Sequence, residues 1–268
     1  MSTPSQRHRR PPLFLPIAIL LGFALSGKAE AEDLAEVRAC EAKVPGRTSV
    51  VSLELRSVDR TGGTRTLAGK MRWKLDDEGR SQTLIELEKP PDVRGSAYLL
   101  HERESTHDMW VFLPAVAKVR RIHPRSASGR LFGTDFSYDD IARLQGLAVD
   151  GKAERLPDAL LGGRAVYRVR ARLAPEEGSG FARVEYFMDR ETCLPLQIEF
   201  YGEGGALQKV MRGDPASVER AGSGWVLRSV RIQDLANGTE SLLVVSGIQV
   251  DVDLPDGLFS LTNLQQRQ

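Results

Sequence analysis

The chain contains 268 residues, with 37 lysines and arginines against 36 aspartates and glutamates, which gives a formal net charge of +1. A chain of this length can bury a sizeable core, either in one large domain or in two small ones. Its balanced charge creates no overall field that would favour nucleic acid or an acidic polymer, so any electrostatic recognition must be local.

The first 31 residues have the pattern of a secretory signal peptide. Residues 7–10 read RHRR, an apolar run follows over residues 13–25, and Ala29-Glu30-Ala31 places small residues where a signal peptidase cuts. The apolar run is too short for a comfortable membrane span. We therefore expect residues 1–31 to be removed after Ala31 during export; an uncleaved N-terminal membrane anchor is the alternative.

The sequence contains only two cysteines, Cys40 and Cys193. Export would place them in an oxidising compartment, where a disulfide is the economical interpretation. Two separate buried thiols are the alternative.

Hydrophobic periodicity changes from helical to extended near residue 49. Leu34, Val37 and Val44 fall at helical spacing, and Pro45-Gly46 ends this short amphipathic helix. Apolar and polar residues alternate in most of the chain that follows, which predicts strands. The predicted strands lie around residues 51–55, 67–75, 85–87, 97–102, 109–113, 165–173, 182–188, 196–200, 207–211, 225–235 and 241–254.

About a dozen antiparallel strands, one N-terminal helix and one short helix near Asp139 predict a mainly β protein. The sequence has no linker rich in proline, glycine or serine and no evident internal repeat, so we expect residues 32–268 to form a single domain. A meander this long must curl into a barrel or half-barrel to protect its edges. The helices could fill its concave face or leave room for an apolar guest.

Residues 109–144, MWVFLPAVAKVRRIHPRSASGRLFGTDFSYDDIARL, change character more abruptly than any other stretch. An apolar strand stops at Pro114, a cationic element with Lys118, Arg120 and Arg121 follows, and an acidic aromatic turn leads into a short helix. The cations could bind a phosphate, a lipid headgroup or an acidic partner. Alternatively, Arg120 or Arg121 pairs with an acidic residue of the turn and fixes the loop.

Catalytic motifs are missing from the sequence. It has no HExxH, nucleophile elbow, Walker loop or dinucleotide glycine fingerprint. Candidate metal ligands fall into two groups: His101, His107 and Asp108 around a turn, and Asp135, Asp139 and Asp140 before the short helix. Neither group has a recognised ligand spacing, and solvated turn residues or helix N-terminal charges explain them better. We expect no enzyme activity, no metal and no cofactor.

Five motifs in this order resemble the LolA-like family of exported outer-membrane lipoprotein-sorting proteins: WVFLP, KVRRI, FGTDFSYDD, FMDRETCLPLQIEFY and LPDGLFSLTNL. The resemblance implies a periplasmic protein with an unclosed antiparallel β-barrel, or half-barrel, capped by helices, whose apolar concavity receives acyl chains. The basic and acidic motif and the cysteine pair are extra relative to the lipoprotein carrier itself. The resemblance in fold therefore does not identify the molecule that this protein carries.

The resulting functional prediction is a monomeric periplasmic carrier that shelters lipid or lipoprotein acyl chains and exchanges them with an inner-membrane transporter or outer-membrane acceptor. The expected cavity residues are Leu53, Leu55, Met71, Trp73, Ile85, Trp110 or Phe112, Val184 and Tyr186. The expected headgroup or partner rim contains Lys118, Arg120, Arg121, Asp135, Tyr138, Asp139 and Asp140. The alternative is a non-catalytic adaptor with a solid core that docks a membrane transporter through the Lys118 to Asp140 surface.

Overall fold

The computed structural model of the protein describes residues 34–40, 46–104, 106–144, 152–173 and 180–266. The predicted signal peptide, its cleavage site and the predicted helix stop at Pro45 lie outside these ranges. Helix α1 is present at residues 34–40. Because residues 1–33 are not described, the division into a signal peptide and one mature domain stays a prediction.

A single antiparallel sheet of 13 strands dominates the described chain. The strands of this sheet are β1 (Thr48–Val58), β2 (Thr64–Leu75), β3 (Ser81–Lys89), β4 (Ala97–Glu102), β5 (His107–Leu113), β6 (Lys118–Ile122), β7 (Lys152–Leu161), β8 (Arg164–Arg172), β9 (Arg183–Asp189), β10 (Pro195–Tyr201), β11 (Leu207–Gly213), β14 (Ser229–Asp234) and β15 (Thr239–Val250). Their order in the sheet is β6-β5-β4-β3-β2-β1-β15-β14-β11-β10-β9-β8-β7. The edge strands β6 and β7 do not pair with each other, so the predicted unclosed half-barrel is confirmed.

Two further strands and two further α-helices lie outside this sheet. Strands β12 (Val218–Ala221) and β13 (Gly224–Leu227) form a separate two-stranded hairpin. Helix α2 spans Tyr138–Leu144 and helix α3 spans Leu261–Gln265. The short α2 is the helix predicted near Asp139, whereas α3 was not predicted.

The concave face of the half-barrel is filled in its middle by residues 123–144, which we call the plug. Inward residues of the strands, such as Leu55, Tyr98 and Phe200, form one apolar cluster with Leu131 and Phe136 of the plug. Both plug side chains are fully buried. Alternation along the strands supplies the walls of this core, and the plug supplies its centre.

A second apolar cluster lies on the convex face. The C-terminal segment places Phe259 and Leu264 against Leu99 of β4 and Phe112 of β5. Ser260 caps the N-terminus of α3, because its side chain accepts a hydrogen bond from the Asn263 N–H at 3.0 Å. Strands β4 and β5 are therefore buried on both faces, which explains why their apolar residues run together in the sequence.

Two predicted strand boundaries are wrong near the C-terminus. The strand predicted over residues 225–235 is split, because Arg228 leaves the ladder: its N–H donates to the Ser217 carbonyl at 3.2 Å, and its carbonyl accepts from Val245 at 2.8 Å. The strand predicted to reach Leu254 ends at Val250, where Asp251 adopts a left-handed conformation (φ 53°). Strands β6, β7 and β12 were also missed.

Candidate functional site

An apolar cavity of about 210 Å³ remains at one end of the concave face, beside the plug. Its walls come from β1, β2, β13, β14 and β15, from α1 and α2, and from the turn that leads into β10. Side chains that line it include Val51, Met71, Trp73, Trp225 and Val245. Among the described residues that line the cavity none is charged, and hydroxyl groups come only from Ser49 and Thr192.

A disulfide forms part of the cavity wall. Cys40 of α1 and Cys193 of the β9–β10 turn are bonded, with sulfur atoms 2.03 Å apart, and both line the cavity. The predicted disulfide is thus confirmed. It joins positions separated by 153 residues and fixes α1 against the sheet.

The turn that carries Cys193 is organised around Asp189. This carboxylate accepts hydrogen bonds from the Thr192 N–H at 2.9 Å and the Glu191 N–H at 3.0 Å, and it pairs with Arg164. Burial opposes ionisation, but the hydrogen bonds from Arg164 and Thr192 outweigh it and lower the pKa of the Asp189 carboxyl. The cavity wall is therefore fixed by a covalent bond and by a charged turn.

The plug is held by three polar contacts, which together we call the clamp. The first centres on Asp135, which is buried against β15. Its carboxylate accepts hydrogen bonds from Thr239 at 2.6 Å and Ser241 at 2.7 Å, and Arg130 pairs with it from the plug. Phe132 and Gly133, with φ of 51° and 82°, turn the chain so that this carboxylate faces inward.

The second contact of the clamp joins Asp140 to Lys209 of β11. Both side chains are buried, and the ammonium group pairs with the carboxylate. Asp140 also closes a capping box, because it accepts from the Ser137 N–H at 2.6 Å while Ser137 Oγ accepts from the Asp140 N–H at 3.2 Å. One carboxylate thus starts α2 and ties it to the opposite wall.

The third contact of the clamp centres on Arg143, which pairs with Asp139 one helical turn earlier and donates to Tyr186 Oη of β9 at 2.6 Å. Burial disfavours the charge on Arg143, but Tyr186 and Asp139 raise its pKa above the ordinary value, so it stays cationic. Burial also raises the pKa of Tyr186 to about 12. On the other wall, Tyr98 Oη donates to the Tyr138 carbonyl at 2.8 Å.

The structure distributes the nine expected cavity residues over three places. Met71 and Trp73 line the cavity. The other concave-face residues pack in the core around the plug: Leu53, Leu55, Ile85, Val184 and Tyr186. Phe112 belongs to the convex cluster, with Trp110 packed against it. These last two lie on the opposite face from the cavity, because they alternate with the inward residue Met109.

The expected rim also divides in two. Lys118 and Arg120 are exposed on the edge strand β6, and within the described part of the chain neither has an ion-pair partner. Arg121 pairs with Asp108 at 2.5 Å. Three members belong to the clamp instead of a rim: Asp135, Asp139 and Asp140. Tyr138 packs against the core, with its ring centroid 5.6 Å from that of Tyr98. The pairing considered for Arg120 and Arg121 with the acidic turn is made by Arg130 and Arg143.

Several residues of the site were missed in the sequence. Trp225 and Val245 were assigned to strands but not to the cavity. Lys209 had a detectable signal, because it occupies the inward position two residues before Met211 in an alternating strand, and an inward cation requires a buried partner. Thr239 and Ser241 gave no such signal.

Two of the candidate metal ligands, His101 and Asp108, are engaged in other contacts. Within the described ranges, no three His, Cys, Asp or Glu side chains are grouped so that they could hold a metal ion. His101 Nε2 lies 2.8 Å from the Phe259 carbonyl oxygen, and Asp108 pairs with Arg103 and Arg121. In the same ranges, no helix has the length and apolar character needed to cross a membrane.

Residues 79–266 match the model of a protein family described as "-like: Uncharacterized protein". The chain belongs to this family. The match includes the plug, the clamp and most of the residues that line the cavity. No curated protein matches the sequence.

Solved structures share the fold of nearly the whole chain. A protein domain from Vibrio parahaemolyticus, described as an outer membrane lipoprotein-sorting domain, has a TM-score of 0.76 at 21% identity and covers 90% of this chain and 100% of its own. A DUF1329 family protein from Desulfovibrio piger has a TM-score of 0.77 at 23% identity, and the match covers 88% of this chain and 98% of that protein. A LolA superfamily protein from Nitrosomonas europaea has a TM-score of 0.66 at 21% identity, and the match covers 87% of this chain and 98% of that protein. The predicted LolA-like fold is confirmed.

Proposed function

We propose that the protein is an exported, non-enzymatic carrier that shelters the apolar part of a lipid or of a lipoprotein in its cavity. The observation that carries this proposal is the uncharged cavity at the end of a LolA-like half-barrel. In this proposal the carrier works in the periplasm and exchanges its guest with membrane partners, an inner-membrane transporter or an outer-membrane acceptor.

The size of the cavity limits the guest. Ligand pockets usually measure roughly 300–1,000 Å³, and an engineered apolar cavity of about 150 Å³ binds benzene. A cavity of about 210 Å³ therefore suits one chain segment better than several complete acyl chains. Each methylene removed from water contributes about 0.8 kcal/mol, so even a short segment provides useful affinity.

A pair of neighbouring valines on β15 allows a matched test. Val245 is buried and lines the cavity, whereas Val244 is 36% exposed on the other face of the strand. Val245→Phe should fill the cavity and weaken binding of a fluorescent fatty acid, while Val244→Phe should leave binding unchanged. Native mass spectrometry and lipid extraction of protein purified from the periplasm should recover a bound lipid. The proposal fails if no lipid is recovered and no fatty acid binds.

A second candidate function is a periplasmic adaptor that docks a membrane transporter. The observation that favours it is the pair of exposed, unpartnered cations on the edge strand β6, Lys118 and Arg120, among the described residues. The buried acidic residues of the clamp would not take part in docking. An edge strand also has free backbone groups that can pair with another chain.

Charge reversal separates the two candidates. Lys118→Glu with Arg120→Glu should abolish capture of an acidic partner and leave fatty-acid binding intact. Arg172→Glu, at an exposed arginine of β8, is the matched control. Unchanged pull-down of membrane proteins by the β6 variant would eliminate the adaptor.

A further inference from the structure

The hairpin β12–β13 places an arginine beside the apolar cavity. Arg220 stands directly opposite Trp225 in the hairpin register, so both side chains lie on the same face. Trp225 lines the cavity, and the guanidinium carbon of Arg220 lies 5.8 Å from the centre of its ring. This distance corresponds to a cation–π contact, which holds the guanidinium near the cavity wall.

Arg220 is exposed, and within the described residues it has no carboxylate partner. The neighbouring acidic residue is already engaged, since Glu219 accepts a hydrogen bond from Arg228 at 2.8 Å. A guanidinium group offers several N–H donors in a planar arrangement that matches a carboxylate or a phosphate. The described residues that line the cavity carry no charge, so Arg220, the unpaired cation of the hairpin, would decide which headgroup is accepted.

We propose that the cavity takes a single-chain amphiphile with an anionic head, such as a fatty acid or a monoalkyl phosphate. The chain lies among Trp73, Trp225 and Val245, and the head binds Arg220. This inference rests on the proposed function, because it assigns a ligand class to the same cavity. It adds that Arg220 is a specificity-determining residue for the headgroup.

Four ligands with the same chain test the headgroup: dodecanoate, dodecyl phosphate, dodecanol and dodecyltrimethylammonium, each below its micelle concentration. Calorimetric titration of the purified protein should give the tightest binding for the two anions and the weakest for the ammonium. Arg220→Gln should weaken binding of the anions roughly two- to five-fold, the range of an exposed ion pair, and leave dodecanol unchanged. Arg172→Gln, at an outward arginine of β8, should change none of them.

Salt provides a second readout. Screening by sodium chloride should reduce the preference for anions in the wild type and have no further effect in Arg220→Gln. Equal binding of all four ligands, or anion binding that survives Arg220→Gln, overturns the inference and leaves the carrier function intact. Failure of every ligand to bind would rule out both the headgroup inference and the proposed carrier function. Dodecanoate and dodecyl phosphate together show whether a carboxylate or a phosphate is preferred.

Discussion

The plug and the cavity occupy neighbouring parts of one concave face and are built in opposite ways. The plug contains buried charges, and Asp135, Asp140 and Arg143 each contact a strand of the half-barrel wall. The described residues that line the cavity are uncharged, and a disulfide forms part of its wall. The same alternating strands therefore present polar anchors in one place and a mainly apolar, uncharged surface in another.

This difference teaches how a half-barrel can combine a rigid centre with a site for a guest. Buried charges fix one position of the plug, because any displacement would leave them unpaired in a low-dielectric interior. An apolar wall imposes no such directional constraint and suits a hydrocarbon guest. We expect substitutions in the clamp to affect stability mainly, and substitutions around the cavity to affect binding mainly.

Asp140→Asn should have the largest effect on stability. It leaves Lys209 buried without its charge partner, which costs about 3–5 kcal/mol. Urea unfolding measures the loss. Glu240→Gln, which breaks a more exposed pair with Arg231, is the control and should cost less than about 1 kcal/mol. Adding Lys209→Met to Asp140→Asn should recover part of the loss; equal stability of Asp140→Asn and wild type would show that the clamp is dispensable.

Phe136→Ala tests whether the plug fills the concave face through packing as well as charge. Phe136 is fully buried, so truncation should cost about 3–5 kcal/mol. Trp225→Ala removes a larger but half-buried side chain from the cavity wall and should cost clearly less. Thermal unfolding compares the two variants. The reverse order would mean that the cavity wall, and not the plug, supports the fold.

The disulfide variant Cys40→Ser/Cys193→Ser addresses the cavity wall. Loss of a cross-link between such distant positions should cost about 2–4 kcal/mol, chiefly through the unfolded chain. Calorimetric unfolding measures this loss, and a reductant added to the wild type should lower its melting temperature by the same amount. A reductant that also destabilised the variant would point to a cause other than this bond.

Local patterns in the sequence were sufficient for the fold but not for the site. Alternation predicted most strands and their neighbours, because period two and short turns largely determine antiparallel pairing. Alternation alone could not show that Trp110 and Phe112 lie on the convex face, away from the cavity. Both faces of β5 are apolar, and the segment that covers the outer face, with Phe259, lies far along the chain.

The role of the acidic turn was hidden for a similar reason. Asp135 contacts Ser241 across 106 positions, and Asp140 contacts Lys209 across 69. No local spacing in the sequence indicates such distant pairs. The acidic turn was therefore predicted to lie on an exposed rim, although its Asp135 and Asp140 side chains are buried. The disulfide was accessible from the sequence only because two cysteines allow one intramolecular pairing.

Among the clamp, plug and disulfide variants, Tyr186→Phe should have the smallest effect on stability at neutral pH. Its effect should also depend on pH. It removes an acceptor of Arg143, which should cost about 1–3 kcal/mol at neutral pH. Burial raises the pKa of Tyr186 to about 12, from about 10 when unfolded. The stability linked to this proton is complete below pH 10 and is lost as pH rises toward 12. Melting temperatures between pH 9 and 11 should therefore fall less steeply in Tyr186→Phe than in the wild type, and parallel curves would show that this tyrosine does not couple the clamp to pH.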